Sequence, residues 1–350
     1  MKQNVVFSKN IIETAEAAVA ACKPDKIFIV TDNTTKHLCL PLIMKANGMA
    51  DAKIISIPPT DTNKDLEHLA YVWSEMQNGG ATRHSCTINL GGGMITDLGG
   101  FAASTFKRGM NFINIPTTLL AMVDASIGGK TGINFGGLKN EIGVFNNAVT
   151  VIIDTSFLAT LNSGNMLSGY AEMLKHGLLS NDKMWAELLQ FNILQPDLAH
   201  LQAMVEAGIQ VKEHIVETDP HETGLRKALN LGHTIGHAFE SFSLSTEHPL
   251  LHGYSVAYGL IGELYLSCIK AGFPTAKMHQ TAAFIREHYG RPDINCKDYT
   301  KLLELMRHDK KNTGQNINFT LLADVGDIRI NQTATDNEIY EALDFIREGL

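Results

Sequence analysis

The chain has 350 residues, 44% hydrophobic and 19% charged, which predicts about two globular domains with ample core volume. A formal charge of −8 excludes the basic footprint of a nucleic-acid binder. The cysteines (Cys22, Cys39, Cys86, Cys268, Cys296) are odd in number and lack a CxxC spacing, so they read as reduced thiols, and without a signal-like start or an apolar run of about 18 residues the protein is expected to be soluble and cytoplasmic.

In chain order, the first half alternates β-rich and helical-period segments. Strands are predicted at Lys26–Thr31, Lys53–Ile57, Cys86–Leu90, Asn111–Ile115 and Val149–Ile153, with helices at Asn10–Cys22 and Asp65–Gln77. Strands separated by helices predict an α/β domain with a mainly parallel sheet over residues 1–160, whose ligands bind beyond the carboxyl ends of the strands. After Cys86–Leu90 comes GGGMITDLGGF. A strand, a glycine turn and a helix form a cradle for a pyrophosphate, although Thr96 stands where a GxGxxG fingerprint has its third glycine. A tight turn without a ligand is the alternative.

Lys107, Arg108, Lys130 and Lys139 then cluster among glycine-rich and apolar neighbours, with no acid between Lys130 and Lys139. Gly-Gly-Lys-Thr resembles the tail of a P-loop, but Asp124 occupies the leading glycine position and rules that motif out. An anion pocket for a phosphorylated or carboxylated molecule is the better reading, with Asp124 the acid expected to face it.

From about residue 160 helical periods dominate: Met166–Leu179, Lys183–Phe191, Leu198–Glu217, Ala228–Phe242, Tyr254–Lys270, Ala276–His288 and, after a β-like run at Ile317–Leu322, Asp336–Arg347. This predicts a mainly α-helical second domain over 161–350. Its polar candidates are Glu172, Lys175, Lys212, Arg226, Asn230, the histidines, and Lys310 with Lys311. His233 and His237, spaced i, i+4, share a helix face and could hold a metal, with Glu172 or His252 as third ligand. An ordinary helix face is the alternative, as is a surface pair for Glu172 and Lys175. Gly232 and Gly236 suggest close approach to the backbone there, and His248, beside Pro249, reads as surface.

These segments, with FKRGM, IPTTLLAMVDASIGGKTGIN, LKNEIGVF, GYAEMLKHG, RKALNLGHTIGHAFE, LHGYSVAYG and DKKNTGQ, resemble the 3-dehydroquinate synthases, a family of sugar phosphate cyclases, in order over roughly residues 25 to 325. The resemblance implies a nucleotide-binding α/β domain and a helical domain, zinc (or cobalt) on Glu172, His233 and His252, and His237 as an active-site residue instead of a ligand. It implies NAD over Gly91, Gly92 and Gly93, with Asp97, Thr117 and Thr118 nearby and Asp32 and Lys64 more distant. Lys130 and Lys139 could reach either cofactor or substrate. Substrate anions would meet Arg108, Lys130, Lys139, Asn140, Lys175, Lys212, Arg226 and Lys310, with Asp124 and Asn230 shaping the site.

The implied reaction converts 3-deoxy-D-arabino-heptulosonate 7-phosphate to 3-dehydroquinate and phosphate, in the shikimate pathway. It proceeds by transient oxidation with NAD, phosphate elimination, re-reduction and intramolecular aldol closure. The implied partner is this small molecule, with no nucleic acid or membrane, in a homodimer. Two positions depart from the family pattern. Tyr254 stands where HGE is usual, and Thr60-Asp61 precede Lys64 where Gly-Glu is common. A sibling cyclase with another substrate, a metal-dependent polyol dehydrogenase and a silent nucleotide- and metal-binding scaffold are the alternatives.

Overall fold

The computed structural model describes residues 3–220, 222–308 and 316–349. The chain divides into two compact units, one running through Asn162 and including Asp197–Ile209, the other comprising Ser163–Pro196 and the chain from Gln210 onward. Among the described residues no helix is long and apolar enough to cross a membrane.

The first unit contains β1 (Val5–Phe7), α1 (Ile11–Cys22), β2 (Ile27–Asp32), α2 (Asn33–Leu38), α3 (Leu40–Ile43), β3 (Lys53–Ile57), α4 (Leu66–Asn78), β4 (Cys86–Gly91), α5 (Gly93–Thr105), β5 (Asn111–Pro116), β6 (Lys130–Phe135), β7 (Leu138–Phe145) and β8 (Thr150–Ile153). Six strands form one sheet in the order β1-β8-β5-β4-β2-β3, every pair parallel. β4 and β8 are buried throughout and β2 nearly so, as a parallel sheet covered on its faces requires. Phe28, Val30, Ile55 and Ile57 pack with Leu69, Val72 and Met76 of α4 and Ile95, Leu98 and Phe101 of α5. From β2 the chain moves outward to β3, then returns past β2 to β4 and continues the other way through β5 and β8. The direction therefore reverses between β2 and β4, and the crevice at their carboxyl ends is where such sheets bind ligands. Asp32 ends one strand and Gly91 the other.

Four strands, three here and one in the second unit, were not legible in the sequence. β1 has three residues, too few to show a period. β6 and β7 pair as an antiparallel hairpin in a stretch the sequence presents as polar glycine loops. Gly136 and Gly137, at φ 60° and 81°, join Phe135 to its partner Leu138. Two residues with positive φ are what a tight primed turn needs, so Gly-Gly was the overlooked hairpin signal. The strand Asp327–Thr333 of the second unit, β10, pairs with register shifts that obscure its period.

The second unit contains α6 (Ser163–Ser180), α7 (Asp182–Gln190), the later part of α8 (Leu198–Thr218), α9 (His233–Ser243), α10 (His252–Ala271), α11 (Thr275–Tyr289), α12 (Tyr299–Arg307), the hairpin β9 (Asn318–Asp324) and β10 (Asp327–Thr333), and α13 (Asp336–Glu348). α10 is its centre, packed against α6, α9, α11, α13 and β9. Its burial extends around the helix, as expected of an element surrounded by others. The single helix expected over Ala228–Phe242 is instead a 3-10 turn at Leu225–Asn230 followed by α9. Gly232, at φ 79°, makes the break, so His233 begins a helix.

The glycines near the histidines do mark a close approach, and the approaching partner is α10. A Cβ at Gly259 would lie 1.9 Å from Gly232 O, and one at Gly236 would lie 2.9 Å from Ser255 O. Backbone cannot yield as a side-chain tip can. Gly259→Ala is expected to cost about 3 kcal/mol, at the upper end of ordinary overpacking. A urea unfolding midpoint lowered at unchanged slope checks it.

Candidate active site

The second unit gathers Glu172, His233 and His252 from three helices. Glu172 Oε1 lies 3.3 Å from His233 Nε2 and 3.2 Å from His252 Nε2. The ligand atoms of all three lie within 4.8 Å of one another. A tetrahedral ion with oxygen and nitrogen ligands at about 2.0–2.2 Å separates them by about 3.3 Å, so the donor set fits such an ion.

Local packing explains the placement. Gly253 donates its N–H to Ser168 Oγ at 3.1 Å, and a Cβ on Gly253 would lie 1.9 Å from Ser168 O. The start of α10 is thereby seated on α6, and His252 meets Glu172, one turn beyond Ser168. Glu263, fully buried on α10, accepts the N–H groups of Gly232 at 2.7 Å, Thr234 at 2.9 Å and Ile235 at 3.2 Å. A carboxylate on these donors satisfies amides that a helix start leaves without partners. It pins α9, and His233 with it, to the helix that carries His252.

Glu172 and Lys175 are 0% and 1% exposed, so the pair is internal, which corrects the surface alternative. The Lys175 ammonium holds Glu172 Oε2, leaving Oε1 to the imidazoles. Burial alone would raise the Glu172 carboxyl; Lys175 and then His233 outweigh it and hold it well below the usual carboxylate range. The two imidazoles diverge. Burial dominates at His233 and lowers it to about 4, with Glu172 opposing and Lys175 assisting. At His252 burial also pushes down, but hydrogen bonds to Glu172 and Glu240 prevail and raise it to about 10. The difference has a geometric cause: His233 Nδ1 meets Leu231 O at 3.0 Å, whereas His252 Nδ1 meets the Glu240 carboxylate at 3.3 Å. A cation at the three ligand atoms takes the place of a proton on Nε2.

His237 lies one turn beyond His233, ring centroids 5.3 Å apart, and 6.3 Å from the His252 ring. It is half-buried and outside the three-ligand group. Lys212 and Arg226 are buried cations of the same unit. Asp219 accepts N–H bonds from Thr223, Gly224 and Arg226, closing the turn before Arg226, and Arg226 Nη1 donates to Pro220 O. Asn230 Nδ2 donates to Glu222 Oε1 at 3.0 Å. Lys310 lies outside the described residues. Exposed His248 agrees with its surface reading.

In the first unit, Gly91 to Gly93 form the turn between β4 and α5, and no side chain caps that helix. A Cβ at Gly92 would lie 3.1 Å from Thr118 Cγ2, and one at Gly93 3.1 Å from Ala125 Cβ, so the turn is crowded by the segment after β5. Thr117 N–H donates to Gly91 O at 2.9 Å. Beside this turn Lys64 Nζ reaches Asp97 Oδ2 at 3.0 Å, Asn140 Oδ1 at 2.5 Å and Asp61 Oδ1 at 3.3 Å. Burial would lower Lys64, but Asp97 and Asp61 more than compensate, and it is raised. Asp61 Oδ2 is also 3.5 Å from Lys139 Nζ, so the acid standing in the family's Glu position pairs with both lysines. Thr60, in the family's glycine position, has φ 86°. The Asp32 side chain caps α2, accepting from Thr34 and Thr35 N–H. Asp124 lies in a π-helical turn at Ala121–Ala125. Arg108 and Lys130 are exposed, and Arg108 has φ 69°.

Three contributors escaped the sequence reading. Glu240 shares the face of His233 and His237 by the i, i+4, i+7 pattern, a signal that was available. Glu263 offers none, being one acid in an apolar helix. Asp61 stands in the sequence only as a departure from the family's Gly-Glu, with nothing to show that it pairs with Lys64 and Lys139.

A parallel sheet with a glycine turn at its switch point and a helical unit with a buried Glu-His-His cluster together describe a nucleotide- and metal-binding enzyme fold. Solved structures share it. A 2-deoxy-scyllo-inosose synthase complexed with carbaglucose-6-phosphate, NAD+ and Co2+ superposes with a TM-score of 0.87 at 23% identity, covering 100% of this chain and 99% of the other. A 2-epi-5-epi-valiolone synthase from Streptomyces hygroscopicus with NAD+ and Zn2+ bound gives 0.84 at 24% identity, covering 99% and 97%. Family models described as 3-dehydroquinate synthase N-terminal and C-terminal match residues 54–168 and 169–312. A 3-dehydroquinate synthase from Parabacteroides distasonis is 51% identical over 348 residues, 99% of each chain. The chain belongs to the 3-dehydroquinate synthase family.

Proposed function

We propose that the protein converts 3-deoxy-D-arabino-heptulosonate 7-phosphate to 3-dehydroquinate and phosphate, with NAD held by the first unit and zinc, or cobalt in its place, by the second. The carrying observation is the 3.2 and 3.3 Å spacing of Glu172 Oε1 from two imidazole Nε2 atoms, in a chain of this family. Bound NAD supplies a reversible hydride acceptor, and the bound metal a Lewis acid that polarises hydroxyl oxygens.

Glu172, His233 and His252 hold the metal, and Lys175 orients Glu172 by engaging Oε2. Gly91, Gly92 and Gly93 bring backbone to the pyrophosphate at the start of α5, flanked by Asp97, Thr117 and Thr118. Lys64 fixes Asp97, while Asp32 acts at a distance by ordering α2. Lys175, Lys212 and Arg226 supply buried positive charge for the substrate anions; Arg108, Lys130, Lys139 and Lys310 add further charge, and Asn140 a neutral hydrogen-bonding amide. Asp124 and Asn230 shape the site, and His237 moves a proton at its ring. The reading extends to a cytoplasmic homodimer acting on a small molecule.

The experiment supplies the heptulosonate phosphate with zinc and NAD+ far below substrate, and follows phosphate release alongside NADH absorbance. Many phosphates per NAD+ without net NADH are expected. Net NADH accumulation would identify a dehydrogenase. No reaction would turn attention to other sugar phosphates, with Tyr254, whose ring packs edge-on against Tyr289 at 5.1 Å, as the suspected cause.

A further inference from the structure

The two imidazoles of the cluster are oriented by different means. Both present Nε2 to Glu172 Oε1, so both need Nδ1 engaged elsewhere. His233 uses Leu231 O, a backbone atom that the fold fixes at the start of α9. His252 uses a side chain, Glu240 Oε2, at 3.3 Å. Glu240 is 7% exposed and comes from the last part of α9, a different helix from the histidine it meets. Burying a carboxylate is costly without a partner of matching chemistry, and the imidazole N–H is such a partner. Glu240 stands on the Nδ1 side of the ring, away from the Glu172 oxygen, and falls outside the three-ligand group.

We propose that Glu240 is a positioning residue for the metal site: its carboxylate fixes the ring of His252 so that Nε2 carries the lone pair aimed at the ion. This rests on the metal assignment above. α9 then serves the site twice, giving His233 from its first turn and the orienting group for His252 from its third. Because Glu263 ties the start of α9 to α10, Glu240 is presented to His252 by a helix already anchored to the helix that bears that histidine.

The test titrates Co2+ into chelator-stripped protein and records both affinity and the visible d–d spectrum. The parent protein should bind one equivalent; failure there would remove the metal assignment itself, and this proposal with it. Glu240→Ala should weaken binding about 10–100-fold and alter the spectrum, because the ring loses its orientation. Glu240→Gln keeps an acceptor oxygen but loses the charge, and should fall between, about three- to tenfold weaker with a smaller spectral change. A purely structural Glu240 would lower the melting temperature of the stripped protein while leaving affinity and spectrum as in the parent. Parent-like affinity and spectrum in Glu240→Ala would overturn the proposal. If that variant does not fold, the same result in Glu240→Gln would do so.

Discussion

Glu172→Gln is expected to lose metal and activity together, with turnover reduced at least about 10³-fold, since an ion acting on reacting oxygens supplies several kcal/mol. The substitution keeps volume and one acceptor oxygen, but the neutral amide removes the charge that both imidazoles and Lys175 face. Lys175, 1% exposed, then loses the carboxylate it engages at this place, and weakening the pairing of a buried charge is unfavourable. Metal content by atomic emission after gel filtration, beside the phosphate-release rate, gives the answer. Zinc retained at one per chain would remove Glu172 as a ligand.

His237→Ala is expected to separate the two properties. Its ring stands 5.3 Å from that of His233, close enough to act beside the metal, but His237 is not among the three donors. The variant should keep zinc at one per chain and lose about 10²–10⁴-fold in kcat, the range for a positioned proton-transfer group. Loss of zinc would instead restore the paired-histidine arrangement that an i, i+4 spacing first suggests.

Much of this arrangement was legible in the sequence because it depends on local rules. The glycine turn after Cys86–Leu90 and the helix following it are set by neighbours in the chain, and both occur where the pattern predicts. The helical pattern around His233 was also legible, but its start was not. Ala228–Phe242 has a continuous apolar period, whereas the actual break at Gly232 depends on Glu263, distant in sequence, which collects the amides of the new helix start. The placement of the Glu172–Lys175 pair, at the surface or inside, was ambiguous for a related reason. An i, i+3 acid and base look the same on an exposed helix and a buried one, and only the packing of α6 distinguishes them. Glu240 was legible in spacing, yet its role required knowing that His252 begins the next helix and turns Nδ1 toward it.

The three donors lie on α6, α9 and α10, far apart along the chain. An ion held by them is a cross-link, closing loops of about 60 and about 20 residues that an unfolded chain would leave open. Binding to the folded form alone adds RT ln(1 + [metal]/Kd), or about 2.7 kcal/mol when free metal is a hundredfold above Kd. That increment of the second unit's resistance to unfolding would belong to mass action and not to the sequence alone. A melting temperature for this protein has meaning only with the free metal concentration stated beside it.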